Sequence, residues 1–205
     1  MVSKGFLVIA ENTRSTDYVR LAYGLALSIK ATQKDVKSIS LMTNDPVSDV
    51  YKQAFDQIIP IPWIDPSKDT RYKAENRWKL YHKSPYEETM VLDVDMIILE
   101  DLTEWWNYCS NYDLKICSKV RNHKLEVVTS DVYRTKNRLT NTYFGLHYFK
   151  KSKIAHEFYK VLEFVCNNWQ YCYDQFAPEE WQDWLSMDLA AAIAIEICGL
   201  QEQAV

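Results

Sequence analysis

Two carboxylates one residue apart, Asp93 and Asp95, lie within the otherwise apolar segment TMVLDVDMIILEDL, residues 89–102. The Val, Ile and Leu content predicts a strand over 90–92 and again over 96–99. Residues i and i+2 of a strand share a side, so the pattern predicts that both carboxylates point the same way. Because adjacent, partly desolvated carboxylates resist being ionised together, a bound divalent cation would relieve the conflict. Hard oxygen ligands favour a magnesium or manganese ion (Mg2+ or Mn2+) that keeps positions for water and phosphate.

The bulk composition is that of one large globular domain. The 205 residues are 47% hydrophobic and 25% charged, and only four are glycine. Neither GxGxxG nor GxxxxGK occurs, which excludes the glycine-rich phosphate loops. The apolar run at 6–10 is too short for a signal peptide, and no stretch approaches the ~20 apolar residues that span a bilayer.

The five cysteines are odd in number and form no CxxC pair. We therefore expect free thiols, a reducing cytoplasmic setting and no zinc site.

Alternating strands and helices must position the two carboxylates. GFLVIA predicts a buried strand that ends at Glu11 and Asn12, and SISLMTND predicts a second one. STDYVRLAYGLALSIKA predicts a helix capped by Ser15 or Thr16, with Asp17 in its first turn. Its apolar positions form one stripe: Tyr18, Leu21, Ala22, Leu25 and Ile29.

Further elements follow along the chain. A short helix is predicted from Pro46 through Phe55, and QIIPIPW indicates an edge strand. DTRYKAENRWKLYHKSP predicts a helix that stops before Pro85 and leads into the strand of the acidic pair.

Beyond about residue 103 the alternation of predicted strands and helices is less regular. TNTYFGLHYF predicts an aromatic strand. SKIAHEFYKVLEFVCNNW and EEWQDWLSMDLAAAIAIEICG predict two helices, the second with Gly199 as its C-cap.

This alternation predicts an α/β fold with a mostly parallel central sheet flanked by helices. In such sheets, ligands bind beyond the carboxyl ends of the strands, which is where Asp93 and Asp95 are expected.

The segment ENRWKLYHKSPYEETMVLDVDMIILEDLTEWW resembles the core of nucleotide-sugar glycosyltransferases with the GT-A fold, especially the glycogenin and galactinol synthase group (glycosyltransferase family 8). Three further segments are similar to that group: LVIAEN with DYVRLAYGLALSIK, YFGLHYFKKS, and SMDLAAAIAIE. The resemblance implies a single GT-A-like domain over residues 1–205. It also implies divalent-metal-dependent transfer of a sugar from a nucleoside-diphosphate donor, a UDP-sugar, to an acceptor hydroxyl.

The resemblance also implies roles for individual residues. Asp93 and Asp95 would hold the metal ion, with Asp93 also near the ribose. The positions implied to meet the nucleotide sugar are Ala10, Glu11, Asn12, Tyr18, Lys79, Asp93 and Val94. For Tyr18 a core position, and for Lys79 a solvated helix face, are the alternatives.

Asp188 is an acid in an apolar helix, where burial without a partner is costly. It would bind donor-sugar hydroxyls or assist the transfer as a catalytic residue, or else cap the helix. The acceptor side is expected to include Asn141, Tyr143 and Trp184, although the aromatic residues here also suit plain packing.

Two departures from the family pattern stand out. Tyr143 stands where the family has a sugar-contacting Asn, and Asn141 lies two residues earlier. The family's C-terminal HxxGxxKxW, whose His completes the metal site, is missing after Gly199. The third ligand then comes from elsewhere, is water, or belongs to a segment beyond this sequence.

Basic residues are concentrated between positions 115 and 153. This segment contains ten Lys or Arg residues and two acidic residues, so its net charge is +8. The whole chain has a net charge of −4, and the rest of the chain therefore carries −12. This asymmetry suggests an anionic acceptor, such as an anionic glycan or DNA with hydroxymethylated bases, contacted by Arg134, Lys136 and Arg138. The alternative is a solvated basic face on an enzyme that uses a small saccharide.

Two other functional classes remain open. A non-catalytic nucleotide-sugar binding protein would also explain the missing C-terminal His. A haloacid-dehalogenase phosphatase fits less well, because its DxD lies on the first strand and is followed by Thr or Val where this chain has Ile97.

Overall fold

The computed structural model describes residues 3–63, 76–121, 124–126, 138–179 and 184–204. The strands in this described part of the chain are β1 (Lys4–Ile9), β2 (Ile39–Met42), β3 (Gln57–Ile59), β4 (Glu88–Leu92), β5 (Leu114–Ser118) and β6 (Thr142–Lys150). The helices of the described residues are α1 (Tyr18–Thr32), α2 (Asp49–Lys52), α3 (Leu80–Lys83), α4 (Thr103–Cys109), α5 (Lys153–Asn167), α6 (Trp169–Phe176) and α7 (Met187–Cys198). Short 3-10 turns lie at Arg77–Lys79 and Gln201–Gln203.

The chain divides into two compact units. The first comprises Met1–Lys73 and Ser84–Asn111, and the second comprises Ala74–Lys83 and Tyr112–Val205. The prediction of a single domain therefore stays a prediction.

The first unit is built on four parallel strands. β1 pairs with β2 on one side and with β4 on the other, and β3 pairs with the far side of β2. Phe6, Leu7 and Leu41 are fully buried, as expected for parallel strands covered on both faces. The α/β class and the mostly parallel strands agree with the prediction.

Helix α1 lies in the first unit and begins later than predicted. Its N-cap is Asp17, whose carboxylate accepts a hydrogen bond from Arg20 N, so the prediction of Ser15 or Thr16 is wrong. A carboxylate at the N-cap also interacts favourably with the positive end of the helix dipole. Leu21 was expected in the buried stripe but is 39% exposed, and Val19 is buried instead.

Two other predictions for the first unit are wrong. Helix α2 begins at Asp49 after the Ser48 cap, instead of at Pro46, and ends at Lys52. No strand forms over 96–99, where Leu99 is 82% exposed. An apolar run forms a strand only where a neighbouring strand can pair with it.

The second unit contains an antiparallel strand pair and a helical layer. β5 pairs with β6, and α7 packs against α5 and β6. Residues Leu189–Ile195 of α7 are all buried, which explains why this helix has an alanine-rich, uniformly apolar sequence. Gly199 ends α7 with φ +66°, the predicted left-handed C-cap.

Several boundaries in the second unit differ from the predictions. The predicted helix before Pro85 is present as the 3-10 turn and α3, and its residues before 76 lie outside the described part. The last helix starts only at Met187, while α6 and β5 were not predicted. Strand β6 and helix α5 match their predictions.

All five cysteines are free thiols, as expected. Within the described residues, every helix is too short or too polar to cross a bilayer. The cytoplasmic setting stays a prediction.

Candidate functional site

The acidic pair lies in a turn directly after β4. The strand ends at Leu92, and Met96 N donates to the Asp93 carbonyl at 3.2 Å, which closes the turn. The Asp93 carboxylate accepts from Val94 N at 3.1 Å. Asp93 is half-buried, whereas Asp95 is exposed. The predicted position at the carboxyl end of a strand is therefore confirmed, but strand alternation does not orient the two carboxylates.

The end of β1 lies at the same edge of the parallel strands. Leu92 of β4 pairs with Val8, so Asp93 follows at the level where β1 reaches Ile9. Ala10 is 1% exposed, and its N–H continues the ladder to the Met42 carbonyl at 2.9 Å. The predicted Ala10 and Asp93 positions are thus neighbours at one sheet edge.

Asn12 connects the loop after β1 to helix α1. Its Oδ1 accepts a hydrogen bond from Val19 N at 3.0 Å, and its own N–H donates to Asp45 Oδ2 at 2.6 Å. Because Oδ1 must face a backbone donor, the carboxamide orientation is fixed and Nδ2 is turned away from the helix. Asn12 can therefore present a fixed hydrogen-bond donor at this edge.

The residues after β2 were not predicted as part of the site. Asp45 holds the Asn12 N–H, and its own N–H donates to Thr43 Oγ1 at 3.1 Å. Asn44 exchanges two hydrogen bonds with the backbone of Ile61, at 2.9 and 3.0 Å. The triplet TND at the end of a predicted parallel strand was the available signal, because polar residues there face the ligand edge.

Two further predicted nucleotide positions belong to this unit. Tyr18 is the first residue of α1 and is half-buried, as is Glu11. A half-buried ring is compatible with both the stacking role and the core role.

The first unit offers hard oxygen donors to a divalent cation. Among the described residues, no three His, Cys, Asp or Glu side chains come together in a metal-binding group. Asp93 and Asp95 would therefore supply two carboxylates, with water and diphosphate oxygens as the other ligands. This donor set fits Mg2+ or Mn2+, which are commonly held by one or two carboxylates plus substrate phosphates.

The other predicted site residues belong to the second unit. Lys79 is half-buried, and its Nζ lies 5.2 Å from the centre of the Trp78 ring. Asn141 is half-buried, while Trp184 and Arg138 are exposed. Arg134 and Lys136 lie outside the described residues.

Asp188 is a hydrogen-bond acceptor for strand β6. Its Oδ1 accepts from Phe144 N at 2.7 Å, and its backbone carbonyl accepts from Thr142 Oγ1 at 2.7 Å. It is the second residue of α7, and Ser186 is the N-cap. Asp188 therefore satisfies the strand backbone instead of capping its helix, and its predicted catalytic role stays a prediction.

His147 is a buried residue near Asp188 that was not predicted. Its Nδ1 lies 2.7 Å from the Phe144 carbonyl, and its ring stacks on the Phe144 ring with 4.0 Å between centroids. Burial lowers the pKa of His147 to about 3, the Phe144 carbonyl opposes that shift, and the charge of Arg77 adds to it. His147 is therefore neutral near pH 7, with the proton on Nδ1.

Comparison with known proteins identifies the fold. No protein family and no curated protein matches the sequence. The galactosyltransferase LgtC, solved with donor and acceptor sugar analogs, superposes with a TM-score of 0.58 at 13% identity, over 98% of this chain and 72% of LgtC. The glycosyltransferase GlyE of Streptococcus pneumoniae TIGR4 gives 0.54 at 12% identity, over 100% of this chain and 45% of GlyE.

These similarities confirm the predicted GT-A-like fold, because both structures are glycosyltransferases of that fold. The assignment to the glycogenin and galactinol synthase group stays a prediction.

Proposed function

We propose that this chain is a metal-dependent glycosyltransferase. It moves a sugar from a nucleoside-diphosphate donor, a UDP-sugar, to an acceptor hydroxyl. The observation that carries the proposal is the Asp93–Asp95 turn at the carboxyl end of β4, at the edge where β1 ends. The fold shared with LgtC and GlyE supports the same class of reaction.

The loop after β1 suits the nucleoside part of the donor. Uracil presents two carbonyl acceptors, and the fixed Nδ2 of Asn12 is a donor of the matching kind. Asp45 holds the Asn12 backbone, so the donor is already oriented before the nucleotide binds. Such preorganisation favours affinity, because little side-chain freedom remains to be lost on binding.

The carboxylates of Asp93 and Asp95 would hold the ion at the diphosphate. When bound, Mg2+ or Mn2+ would stabilise negative charge on the departing diphosphate. The acceptor oxygen forms a bond to the anomeric carbon while the bond from that carbon to the diphosphate oxygen breaks. The electron pair leaves with the nucleoside diphosphate, and the proton of the acceptor hydroxyl passes to the departing diphosphate or to water.

The acceptor supplies the hydroxyl that attacks the anomeric carbon. A saccharide hydroxyl is the primary candidate. An anionic acceptor, including modified DNA, is the alternative suggested by the basic composition of residues 115–153. A gel-shift titration with duplex and single-stranded DNA at low salt tests the nucleic-acid acceptor, because phosphate contacts make binding strongly dependent on salt. No shift at low salt would exclude DNA as the acceptor.

A non-catalytic nucleotide-sugar binding protein is the second candidate. The observation in its favour is that no third metal-ligating side chain joins the acidic pair among the described residues. Such a protein would bind a sugar nucleotide without consuming it.

Sugar-nucleotide hydrolysis tests the proposal. A panel of UDP-, GDP-, CDP- and ADP-sugars is incubated with the protein and Mn2+, and the released nucleoside diphosphate is measured. We expect one donor to be consumed, and expect EDTA or Asp95→Ala to abolish the release. Binding without release from any donor would favour the non-catalytic alternative.

A further inference from the structure

Two of the four histidines of the chain lie side by side on the surface of the second unit. His82 belongs to α3, and His156 lies in the first turn of α5. Both side chains are exposed, and their ring centres are 6.0 Å apart with the ring planes at 86°. The packing of α3 against α5 thus brings together two imidazoles that are distant in sequence.

Tyr81 and Ser152 fix the backbones that carry these histidines. The Ser152 carbonyl accepts a hydrogen bond from His156 N at 2.9 Å and another from the Tyr81 hydroxyl at 3.3 Å. Tyr81 is 6% exposed, and its ring centre lies 5.2 Å from that of His82 and 6.1 Å from that of His156. Because a buried residue beside both rings links the two helices, core packing sets the distance between the two histidines.

One metal ion can bridge two imidazoles at this separation. An ion about 2.1 Å from a nitrogen of each ring lies about 3.2 Å from each ring centre, so the centres are about 5.3 Å apart at the tetrahedral angle and at most about 6.4 Å apart. The observed 6.0 Å lies inside that range. The χ2 torsion of histidine is broad, so exposed rings can turn one nitrogen each toward a common point.

The chemistry of the pair selects the kind of ion. Imidazole nitrogen suits Zn2+, Ni2+ and similar transition metals, whereas Mg2+ and Mn2+ prefer carboxylate oxygen and water. Among the described residues no third His, Cys, Asp or Glu completes a metal-binding group here, so water would fill the other positions. The earlier expectation of no zinc site concerned the cysteines, and histidines are a separate set of ligands.

Charges of both signs act on His82. The negative charge of Glu163, which lies on α5 like His156, favours a cation at this place. The charges of Lys83 and Lys151 oppose it. Since exposed charges are screened by water and salt, we expect the two nitrogen ligands to determine the affinity, with the lysines lowering it.

We propose that His82 and His156 form a binding site for one divalent transition-metal ion, of the class of Zn2+ or Ni2+, that links α3 to α5. The inference goes beyond the proposed glycosyl transfer, whose ion is held by carboxylates of the first unit. An ion that needs both ligands at their folded spacing binds the folded chain better than the unfolded chain, and so stabilises the fold.

Calorimetric titration with Zn2+ tests the site directly. An excess of Mg2+ is present, because Mg2+ competes at carboxylates and not at imidazoles. We expect His82→Gln and His156→Gln each to weaken binding about tenfold or more, because a single imidazole lacks the effective concentration of the second. The five free thiols can also bind Zn2+, so the affinity of the pair is obtained from the difference between wild type and the double variant. Equal affinity in these two proteins would overturn the inference.

Two charge variants are the controls for the titration. Glu157→Gln removes an exposed charge next to His156 and keeps both imidazoles, so the affinity should stay within about twofold of wild type. Lys83→Gln removes a repelling charge and should tighten binding about twofold or more. A loss in Glu157→Gln as large as in His156→Gln would show that surface charge attracts the ion, and would contradict ligation by the histidines.

Proton NMR of the imidazole Cε1–H signals identifies the ligands. The two single variants assign the signals of His82 and His156 among the four histidines. Zn2+ should shift these two signals together, with the change complete at one ion per protein. The signal of His147, which is 1% exposed, should stay in place. Zn2+ shifts that leave the His82 and His156 signals unchanged would overturn the assignment.

Thermal denaturation tests whether the ion links the two helices. At a hundredfold excess of Zn2+ over its dissociation constant, the melting temperature of the wild type should rise by about 5–10 °C. The double variant should show little change. Equal shifts in the two proteins would show that the ion does not join α3 to α5. No readout here uses a sugar nucleotide, so this inference and the proposed glycosyl transfer can fail separately.

Discussion

The carboxylate of Asp45 accepts a hydrogen bond from the backbone N–H of Asn12 at 2.6 Å, and so joins the loops that follow β2 and β1. Residues 33 positions apart are thereby fixed relative to each other at the carboxyl edge of the parallel strands. The same Asn12 anchors the first turn of α1 through Oδ1. One loop residue thus links strand ends and helix where the nucleotide is proposed to bind.

Removing this hydrogen bond should weaken nucleotide binding. In Asp45→Ala the Asn12 N–H loses a charged acceptor, a change of about 1.5–3 kcal/mol in stability. We expect UDP affinity to fall about tenfold, because the Asn12 donor is no longer held in place. Titration calorimetry with UDP measures the affinity, and chemical denaturation measures the stability.

Asp49→Ala is the matched control for that change. Asp49 lies four residues further along, and its side chain is 94% exposed beside Lys52. UDP affinity should stay at the wild-type value in this variant. An equal loss in both variants would show that the effect comes from charge and not from the Asn12 contact.

Buried His147 should make the protein sensitive to acid. Burial lowers its pKa from 6.5 to about 3 in the folded state, so below pH 6.5 the unfolded chain binds a proton that the folded chain does not. Its contribution to stability is therefore complete above pH 6.5 and is lost as the pH falls toward 3. The loss approaches about 1.4 kcal/mol per pH unit.

His147→Asn supplies the comparison, because asparagine keeps a donor but does not titrate. The unfolding free energy of the wild type minus that of the variant, measured by urea denaturation at pH 7, 6, 5 and 4, should fall steadily as the pH falls. A difference that is constant over this range would contradict a neutral, buried His147.

Two glycines should respond to alanine in opposite directions. A Cβ at Gly5 would overlap the Tyr86 ring, which is buried and held by a 2.8 Å hydrogen bond between its hydroxyl and Ser40. Gly5→Ala should therefore destabilise the protein by roughly 1–3 kcal/mol or more through overpacking. Thermal denaturation shows directly whether the melting temperature falls in this variant.

Gly24→Ala is expected to stabilise the same protein. Gly24 lies inside α1, and an added Cβ would meet nothing within 4 Å. Alanine reduces the freedom of the unfolded chain and favours the helix by roughly 0.5–1 kcal/mol. A higher melting temperature for Gly5→Ala than for Gly24→Ala would contradict the packing described for β1.

The hydroxyl of Tyr159 should be dispensable. It is buried and makes no hydrogen bond within the described residues, and burial raises the pKa of Tyr159 well above its usual value. Tyr159→Phe should keep or raise stability, because no protein hydrogen bond is lost and a desolvated polar group is removed.

Tyr81→Phe is the control for Tyr159. The two rings stack with 4.5 Å between centroids, but the Tyr81 hydroxyl donates to the Ser152 carbonyl at 3.3 Å. Removing the Tyr81 hydroxyl should lower the free energy of unfolding by about 0.5–1.5 kcal/mol. A larger loss from Tyr159→Phe than from Tyr81→Phe would show that the Tyr159 hydroxyl has a stabilising partner.

The parallel strands could be predicted from sequence because burial on both faces demands continuous apolar runs. GFLVIA and SISLMTND are such runs: the first contains β1 except for Lys4, and the second contains all of β2. The same rule failed over 96–99, where the apolar run follows the turn at Asp93 and has no strand to pair with. Local composition does not tell whether a partner strand is available.

Helix boundaries were less predictable where several residues could cap. Ser15, Thr16 and Asp17 are all good N-caps, and only the three-dimensional path of the loop selects Asp17. Asp45 and His147 were not predicted because their partners are backbone groups. The Asn12 N–H that Asp45 accepts is distant in sequence. The Phe144 carbonyl that His147 binds is available only because β6 bulges away from β5. Gly145 was the local signal for that bulge.

The most direct test of the proposed function is calorimetric titration of UDP into the protein with and without Mn2+. If Asp93 and Asp95 hold the ion at the diphosphate, UDP should bind with Mn2+ present and much more weakly with EDTA. Asp95→Ala should bind equally weakly under both conditions. Equal UDP affinity with Mn2+ and with EDTA, or an Asp95→Ala variant with wild-type affinity, would contradict the metal-dependent site.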